Sequence, residues 1–346
     1  MTRPTVEWYA VPLLALAILV VGTVGAARAC DLCAIYTATV MQETRTGPWI
    51  GGAEQFTSFN TVRDGDSTLS NDAGEWLQSS ITQIIGGYNI HPRFGVQINV
   101  PIISRRFRRI DGGEITRDNE TGLGDISVLA RYNALEIVRE RGMFRLDLLG
   151  GVKLPTGESD RLGEELAEGH HDDAHDPAED THHLASVPSH HDAGEGEQSG
   201  VHGHDLTLGS GSLDGVVGMA LHAGWRRALF DVTLQYMLRS RGDFDYKFAN
   251  DLTWQGGPGA FAVLGHAYTV AVQAHLSGES KGKDNVDGDP LDDTALTALY
   301  LGPRMIATYQ DRLHADLGAE WPLVQNVTSV QIVADWRLRL GVIWRF

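Results

Sequence analysis

The 346-residue sequence predicts an all-β fold: an antiparallel up-and-down transmembrane β-barrel of about twelve strands, preceded by a cleaved signal peptide. Three observations carry that prediction. An apolar leader ends in a small-residue triplet, apolar and polar side chains alternate with a period of two, and short connections exchange regularly with longer ones.

The leader comes first. Arg3 precedes an apolar run from Ala10 to Val24, and Ala27-Arg28-Ala29 follows. A charged n-region, a short apolar core and a small-residue site together mark a secretory signal. Gly22 and Gly25 break the run, which is too short for a spanning helix. Residues 1–29 are therefore assigned to the signal peptide, and the mature chain leaves the cytoplasm. Residues 30–48 form a periplasmic N-terminal segment with a C-x-x-C pair, and 49–346 form the barrel. The net charge of −17 is concentrated: Glu158 to Asp205 holds fourteen acidic residues against the single Arg161.

The alternation is clearest at the C-terminus, in "VQIVADWRLRLGVIWRF". Val330, Ile332, Ala334, Trp336, Leu338, Leu340, Val342, Trp344 and Phe346 occupy one parity, while Gln331, Asp335, Arg337, Arg339 and Arg345 occupy the other. Side chains alternate faces along a strand, so one face is apolar and one is charged. An apolar face ending in tryptophans, opposite arginines, suits a strand between lipid and a wet lumen. The same period runs through Phe144–Leu154, Phe230–Arg241 and Leu313–Trp321. Counting such segments gives twelve: 49–60, 79–90, 93–106, 123–134, 142–155, 211–224, 227–240, 248–262, 266–278, 294–308, 312–323 and 329–346. Each has about the length that a tilted strand needs to cross a bilayer.

The connections set the orientation. "HPRFG", "IVRERG", "AGWRR", "LGHA" and "QDRL" are tight, and the intervening connections are mostly longer and richer in Asp, Gly, Asn and Ser. Outer-membrane barrels place tight turns in the periplasm and long loops outside. The segment 158–208, between the fifth and sixth predicted strands, is then a long extracellular loop rich in histidine and acid. The expected location is the outer membrane of a Gram-negative-type bacterium. The strand ending in Phe346 is the expected signal for the barrel assembly machinery.

Two stretches, "GLGDISVLARYN" (Gly122–Asn133) and "GGVKLPTG" (Gly150–Gly157), together with the aromatic C-terminus, resemble the transporter-like outer-membrane family named for the MetA pathway of phenol degradation. The likeness spans roughly residue 49 to 346. It implies a twelve-stranded barrel with a transport role and fixes no substrate. The histidine-rich insertion and the cysteine pair depart from the family pattern and put an aromatic substrate in doubt.

Four groups of residues are candidate sites. Nine of the fourteen histidines crowd the long loop: His170, His171, His175, His182, His183, His190, His191, His202 and His204. Imidazole suits Zn, Cu or Ni, and interleaved carboxylates add ligands, so metal capture or sensing is one reading. The other is a solvated anionic tract. Cys30 and Cys33 read as a local disulfide or, less completely, a soft-metal clip. Ala34 replaces the histidine that covalent haem attachment requires, so no haem is expected.

Arg145, Asp147, Lys153, Asp231, Arg239, Arg304, His314, Asp316, Glu320, Arg337 and Arg339 should point into the lumen. They would form either a charged constriction or a self-satisfied plug of salt bridges. Arg105, Arg106, Arg108 and Arg109, in "SRRFRR" at the outer end of the third strand, offer forked donors to lipopolysaccharide phosphates, or pair with the acidic loops. No nucleophile motif accompanies His222, His275 or His314, so the chain does not read as an enzyme. The tract "KGKDNVDGDPLDD" lacks EF-hand spacing.

The expected function is an outer-membrane channel for small solutes whose outer loop captures or senses a divalent transition metal. The alternative is a non-conducting metal-binding or structural barrel with a salt-bridged lumen. The expected partners are outer-membrane lipid, lipopolysaccharide and a small-molecule or metal solute, with no nucleic acid.

Overall fold

The computed structural model describes residues 46–111, 113–164 and 199–346. The expected signal peptide, Cys30, Cys33 and the seven histidines from His170 to His191 lie outside the described residues. The long strands are β1 (Gly47–Asp64), β2 (Trp76–His91), β3 (Phe94–Asp111), β4 (Glu114–Leu123) and β5 (Ser127–Arg139). They continue as β6 (Gly142–Lys153), β7 (Asp214–Trp225), β8 (Ala228–Leu238) and β9 (Asp251–Leu264). The last four are β10 (Tyr268–Lys281), β11 (Leu296–Tyr309), β12 (Leu313–Val327) and β13 (Gln331–Arg345).

All of these except β4 follow one another around an antiparallel sheet of twelve positions. β13 pairs back onto β1, from Trp49↔Arg345 to Arg63↔Gln331, and closes the barrel. Closure is what lets a sheet satisfy its backbone inside a membrane.

The predicted fourth strand, 123–134, starts too early, and an additional strand, β4, occupies most of the predicted connection before it. β5 pairs the lower half of β3 and β4 pairs its upper half, with a break at Gly124–Ile126. The cause is local. Pro101 lacks an N–H, and the β3–β5 ladder stops at Asn99↔Ser127. The chain then folds back so that Gly124 N donates to Pro101 O at 2.9 Å. A Cβ on Gly124 would come within 2.8 Å of Ile103 Cδ1, which makes glycine the residue that fits.

Both described chain ends and the five tight turns lie at one end of the barrel. Phe346 N reaches Pro48 O there, and Arg226, Gln310 and Asp311 take positive φ in two of the turns. The opposite end carries the long connections, including 65–75, 154–213, 239–250 and 282–295. Tight turns mark the periplasmic end.

Around the wall, large apolar side chains face outward and polar ones inward. On β13, Trp336, Leu338, Leu340, Val342 and Trp344 are exposed, while Arg337 is 3% exposed. With its closed sheet and apolar outer belt, the protein is an outer-membrane β-barrel.

One prediction about faces is corrected. Ile332 and Ala334 were expected to share the lipid face with Trp336, and both are buried inside. The register slips where Ser58 opposes Trp336, Phe59 opposes Ala334 and Thr61 opposes Val333, so Asn60 and Asp335 are both bulged. The extra residues hold each other: Asn60 Nδ2 and Thr61 Oγ1 donate to Asp335 at 2.7 and 2.6 Å. Inserting residues into a period of two changes which parity faces inward.

Candidate functional site

The lower lumen is a polar network built by strand alternation. All eleven residues predicted to line it lie on the inner face, nine buried and Asp231 and Arg339 partly so. Arg145 grips Asp147 through Nε at 2.8 Å and Nη2 at 3.1 Å, and Arg131 and Asn133 approach the same carboxylate at 3.2 Å. Arg304 bonds Asp316 at 3.0 Å. Glu320 accepts from Ser277 at 2.8 Å, meets His275 Nε2 at 3.1 Å and lies 3.8 Å from Arg339. Arg337 pairs with Glu279 and stacks 3.9 Å from the centre of the Tyr300 ring. Higher up, Lys153 and Arg239 share Asp214 at 3.0 and 2.9 Å.

The upper lumen is different in kind. Residues 199–213, the C-terminal end of the long loop, turn inward and carry the short helix α1 (Gly203–Leu206). Val201 and Leu206, at 1% and 0% exposure, pack against Phe59, Leu77, Phe107, Tyr300 and Ile332 as an apolar core inside the barrel.

Two carboxylates pin this segment. Glu75 accepts from Ser199 Oγ at 2.5 Å and Gly200 N at 3.0 Å. Asp125, in the break between β4 and β5, accepts from Lys153 at 2.5 Å and from Ser210 N and Oγ at 2.8 Å. Its other oxygen takes Gly157 N at 3.0 Å. The "GLGD" and "LPTG" stretches thus meet around one buried carboxylate.

This placement divides the nine loop histidines. His202 and His204 are buried in the inward segment. His202 engages Asp293 through Nδ1 at 3.2 Å and Val330 O through Nε2 at 3.0 Å, so both ring nitrogens are occupied by protein. His204 stacks on His202 at 5.4 Å and lies 3.6 Å from Asp205. Among the described residues, no three His, Cys, Asp or Glu side chains converge as a metal site.

The four arginines of "SRRFRR" divide as well, because the segment is a strand and not a loop. Arg105 and Arg109 point inward, at 2% and 6% exposure, and Arg109 pairs with Asp111 and Glu164 at 3.2 and 2.8 Å. Arg106 and Arg108 point outward.

Among the described residues, cavities lie along the lumen. The largest, about 80 Å³, lies in the polar network and is bordered by Gln83, Asp231, His275, Glu320, Arg304 and Arg337. Two of about 40 Å³ flank the inward segment. One is bordered by Gln83, Asp125, Lys153 and Arg239, the other by Phe59, Tyr300, Ile332 and Ala334 together with Arg105, Asp205, Lys281 and Arg337. Gln83 and Arg337 each border two cavities, so the lower chamber adjoins both upper ones.

Beside the mixed chamber of Phe59 and Tyr300 the wall is incomplete. The β12–β13 ladder stops at Glu320↔Arg337, while β12 continues to Val327 along β11, and β13 pairs with β1 from Gln331. A side chain bridges the opening, with Gln325 Nε2 donating to Ala334 O at 2.6 Å. Trp321, Leu323, Val324 and Trp336 rim it on the outside.

No family model and no curated protein sequence matches the chain. Solved structures resemble it to different degrees, and a shared fold is shown by the first of these. The COG4313 outer membrane channel from Pseudomonas putida F1 superimposes with a TM-score of 0.56 at 12% identity, over 90% of this chain and all of that one. The NanC porin covers 87% of this chain and all of its own, at 10% identity and a TM-score of 0.35. The translocator domain of autotransporter NalP from Neisseria meningitidis covers 97% and 96%, at 11% identity and 0.37.

Sequence reasoning did not single out Glu75, Asp125, Arg131 or Glu279, nor place His222 and His275 in the lumen. For β10 the signal was present: Gln273, His275, Ser277, Glu279 and Lys281 share one parity and one face. For Glu75 and Asp125 it was absent, since both lie where regular pairing ends.

Proposed function

We propose that the protein is an outer-membrane channel for small solutes, held closed at rest by residues 199–213. The carrying observation is the run of adjoining cavities on both sides of that segment, where a purely structural barrel would fill its bore with side chains. The two upper chambers differ in their borders, one holding Asp125, Lys153 and Arg239 and the other mixing Phe59, Tyr300 and Ile332 with charged side chains. Ions and polar solutes fit the route past Lys153, Asp125 and Arg239. Small apolar solutes fit the chamber beside the β12–β13 opening, whose rim faces lipid.

Planar-bilayer conductance of the purified barrel tests the reading, with Leu206→Asp as the companion variant. The charge cannot stay in the apolar core without a partner, so it expels the segment. Rare, small openings in the native protein and long, large ones in the variant are expected. A silent native barrel and a silent variant would leave the second reading, a lumen sealed by its own ion pairs, which the matched pairs Arg304–Asp316 and Arg337–Glu279 favour.

We also infer a metal role for the loop, on its sequence alone. His170, His171, His175, His182, His183, His190 and His191 supply imidazoles at a density that binds Zn, Cu or Ni without a prefolded scaffold. Zinc bound per barrel, measured before and after replacing these seven by alanine, decides it. Equal values would end the idea.

A further inference from the structure

The outward-facing arginines stand in a row-by-row setting on the barrel wall. On β3 and β4 the outer face is built from cross-strand rows. Ile102 opposes Leu123, Ser104 opposes Thr121, Arg106 opposes Asn119 and Arg108 opposes Arg117. The first row is apolar and exposed, and belongs to the lipid belt. The second is neutral, its hydroxyls bonded to each other at 2.9 Å. The third and fourth carry three guanidinium groups. Arg106 begins four residues above Ile102, about 10 Å higher for a strand tilted by roughly 40°. That is the level of the headgroups, and Trp76, opposite Arg108 on β2, is the aromatic residue expected there.

These guanidinium groups are poorly matched by the protein itself. Arg106 Nη2 donates to the neutral Gln78 at 3.0 Å. Arg108 Nε is buried without a hydrogen-bond partner. Arg108 and Arg117 stand directly opposite each other, an arrangement of like charges that destabilises a sheet. Among the described residues, no carboxylate lies within ion-pair distance of any of the three. The acids of β4 face the other way, with Asp118 and Glu120 binding Arg161. The inward Arg109, Arg145, Arg239, Arg304 and Arg337 each have a carboxylate, and among the described residues these three do not.

We propose that Arg106, Arg108 and Arg117 form a binding site for the phosphate groups of lipopolysaccharide in the outer leaflet. Guanidinium forks bind phosphate oxygens in pairs, and an anion seated between Arg108 and Arg117 turns their repulsion into two attractions. The site is independent of transport. It takes Arg117 from outside the "SRRFRR" stretch, and it excludes Arg105 and Arg109, which are buried in the lumen.

The test uses the full barrel in phosphatidylcholine vesicles, with and without diphosphoryl lipid A, reading melting temperature and lipid A retained per barrel. Arg117→Gln should melt higher than the native protein in phosphatidylcholine alone, because a repulsion is gone. It should gain less from lipid A, with retention falling about fivefold for each guanidinium replaced, so that the Arg106/Arg108/Arg117→Gln triple variant retains almost none. Arg108→Lys keeps the charge without the fork and should fall between the two. The proposal fails if the triple variant retains lipid A normally. It also fails if Arg117→Gln melts lower without lipid A, which would give these arginines a carboxylate of this chain. Equal stabilisation by free inorganic phosphate would mark a general anion site and reject lipopolysaccharide.

Discussion

The two halves of the lumen are made of the same strands and obey different rules. Below Arg337 and Glu279 the inner face is charged, each ion has a partner, and the alternation reads as lipid outside and water inside. Above them the inner face carries Phe59, Leu77, Phe107, Tyr300 and Ile332, and apolar side chains stand on both faces of the wall. The difference lies in what fills the bore. The lower half encloses the larger cavity, whereas the upper half encloses a piece of its own chain with smaller cavities beside it. A channel closed in this way holds its solute route shut by apolar burial and its barrel open by electrostatics, so the two halves should fail separately.

The largest effect is expected in the upper half. Phe107→Ala removes a ring 1% exposed at the centre of the apolar core, and such truncations cost about 3–5 kcal/mol. Urea titration of folding into vesicles should show that loss, with conductance rising in parallel as residues 199–213 come free. A loss without any gain in conductance would mean that the core supports the wall alone.

The next effect belongs to the lower half. Glu320→Gln leaves His275 and Arg339 facing a neutral amide, and stranding a buried partner costs roughly 3 kcal/mol. Here ion selectivity should shift toward anions, while the inward segment stays seated and openings remain rare. If Glu320→Gln frees the segment as Phe107→Ala does, the halves are one cooperative unit and the contrast drawn between them is wrong.

A smaller effect tests the joint between them. Asp125 holds Lys153 below and Ser210 above. In Asp125→Asn the bonds to Ser210 weaken and the ion pair with Lys153 is lost, a cost of about 1.5–3 kcal/mol for a charged hydrogen bond. Proteolysis within 199–213 should quicken while the barrel itself resists.

How much of this was legible in the sequence divides along the same line. The period of two gave the strand count, the closed barrel and the inward face of Arg145, Arg304, Glu320 and Arg337, because lipid on one side and water on the other impose the alternation. It misplaced Ile332 and Ala334, since a bulge at Asn60 and Asp335 changes the parity and nothing local in "VQIVADW" announces it. It started the fourth strand at 123, although Pro101, on the partner strand, ends that ladder at Ser127, and it read most of Glu114–Leu123 as part of a connection. It also left His202 and His204 in an open loop. What buries them is the cluster of Phe59, Leu77 and Phe107, brought there by strands far away in sequence. Register and partner, not composition, decide such positions.

The smallest expected effect on ion flow bears most directly on the upper half. Gln325 and Ala334 face each other across the β12–β13 opening, joined by one side-chain hydrogen bond of 2.6 Å. Cysteines at the two positions, oxidised to a disulfide, would replace that bond by a covalent strap without entering the polar route past Lys153 and Arg239. Ion conductance should be unchanged on oxidation, and passage of a small apolar solute such as toluene into barrel-containing vesicles should slow, recovering on reduction. Unchanged toluene entry would remove the opening from the route and leave the chamber beside it as packing around the inward segment. Conductance that falls along with toluene entry would mean that one path serves both solutes, and that the wall beside Trp321 and Trp336 must flex whenever residues 199–213 move.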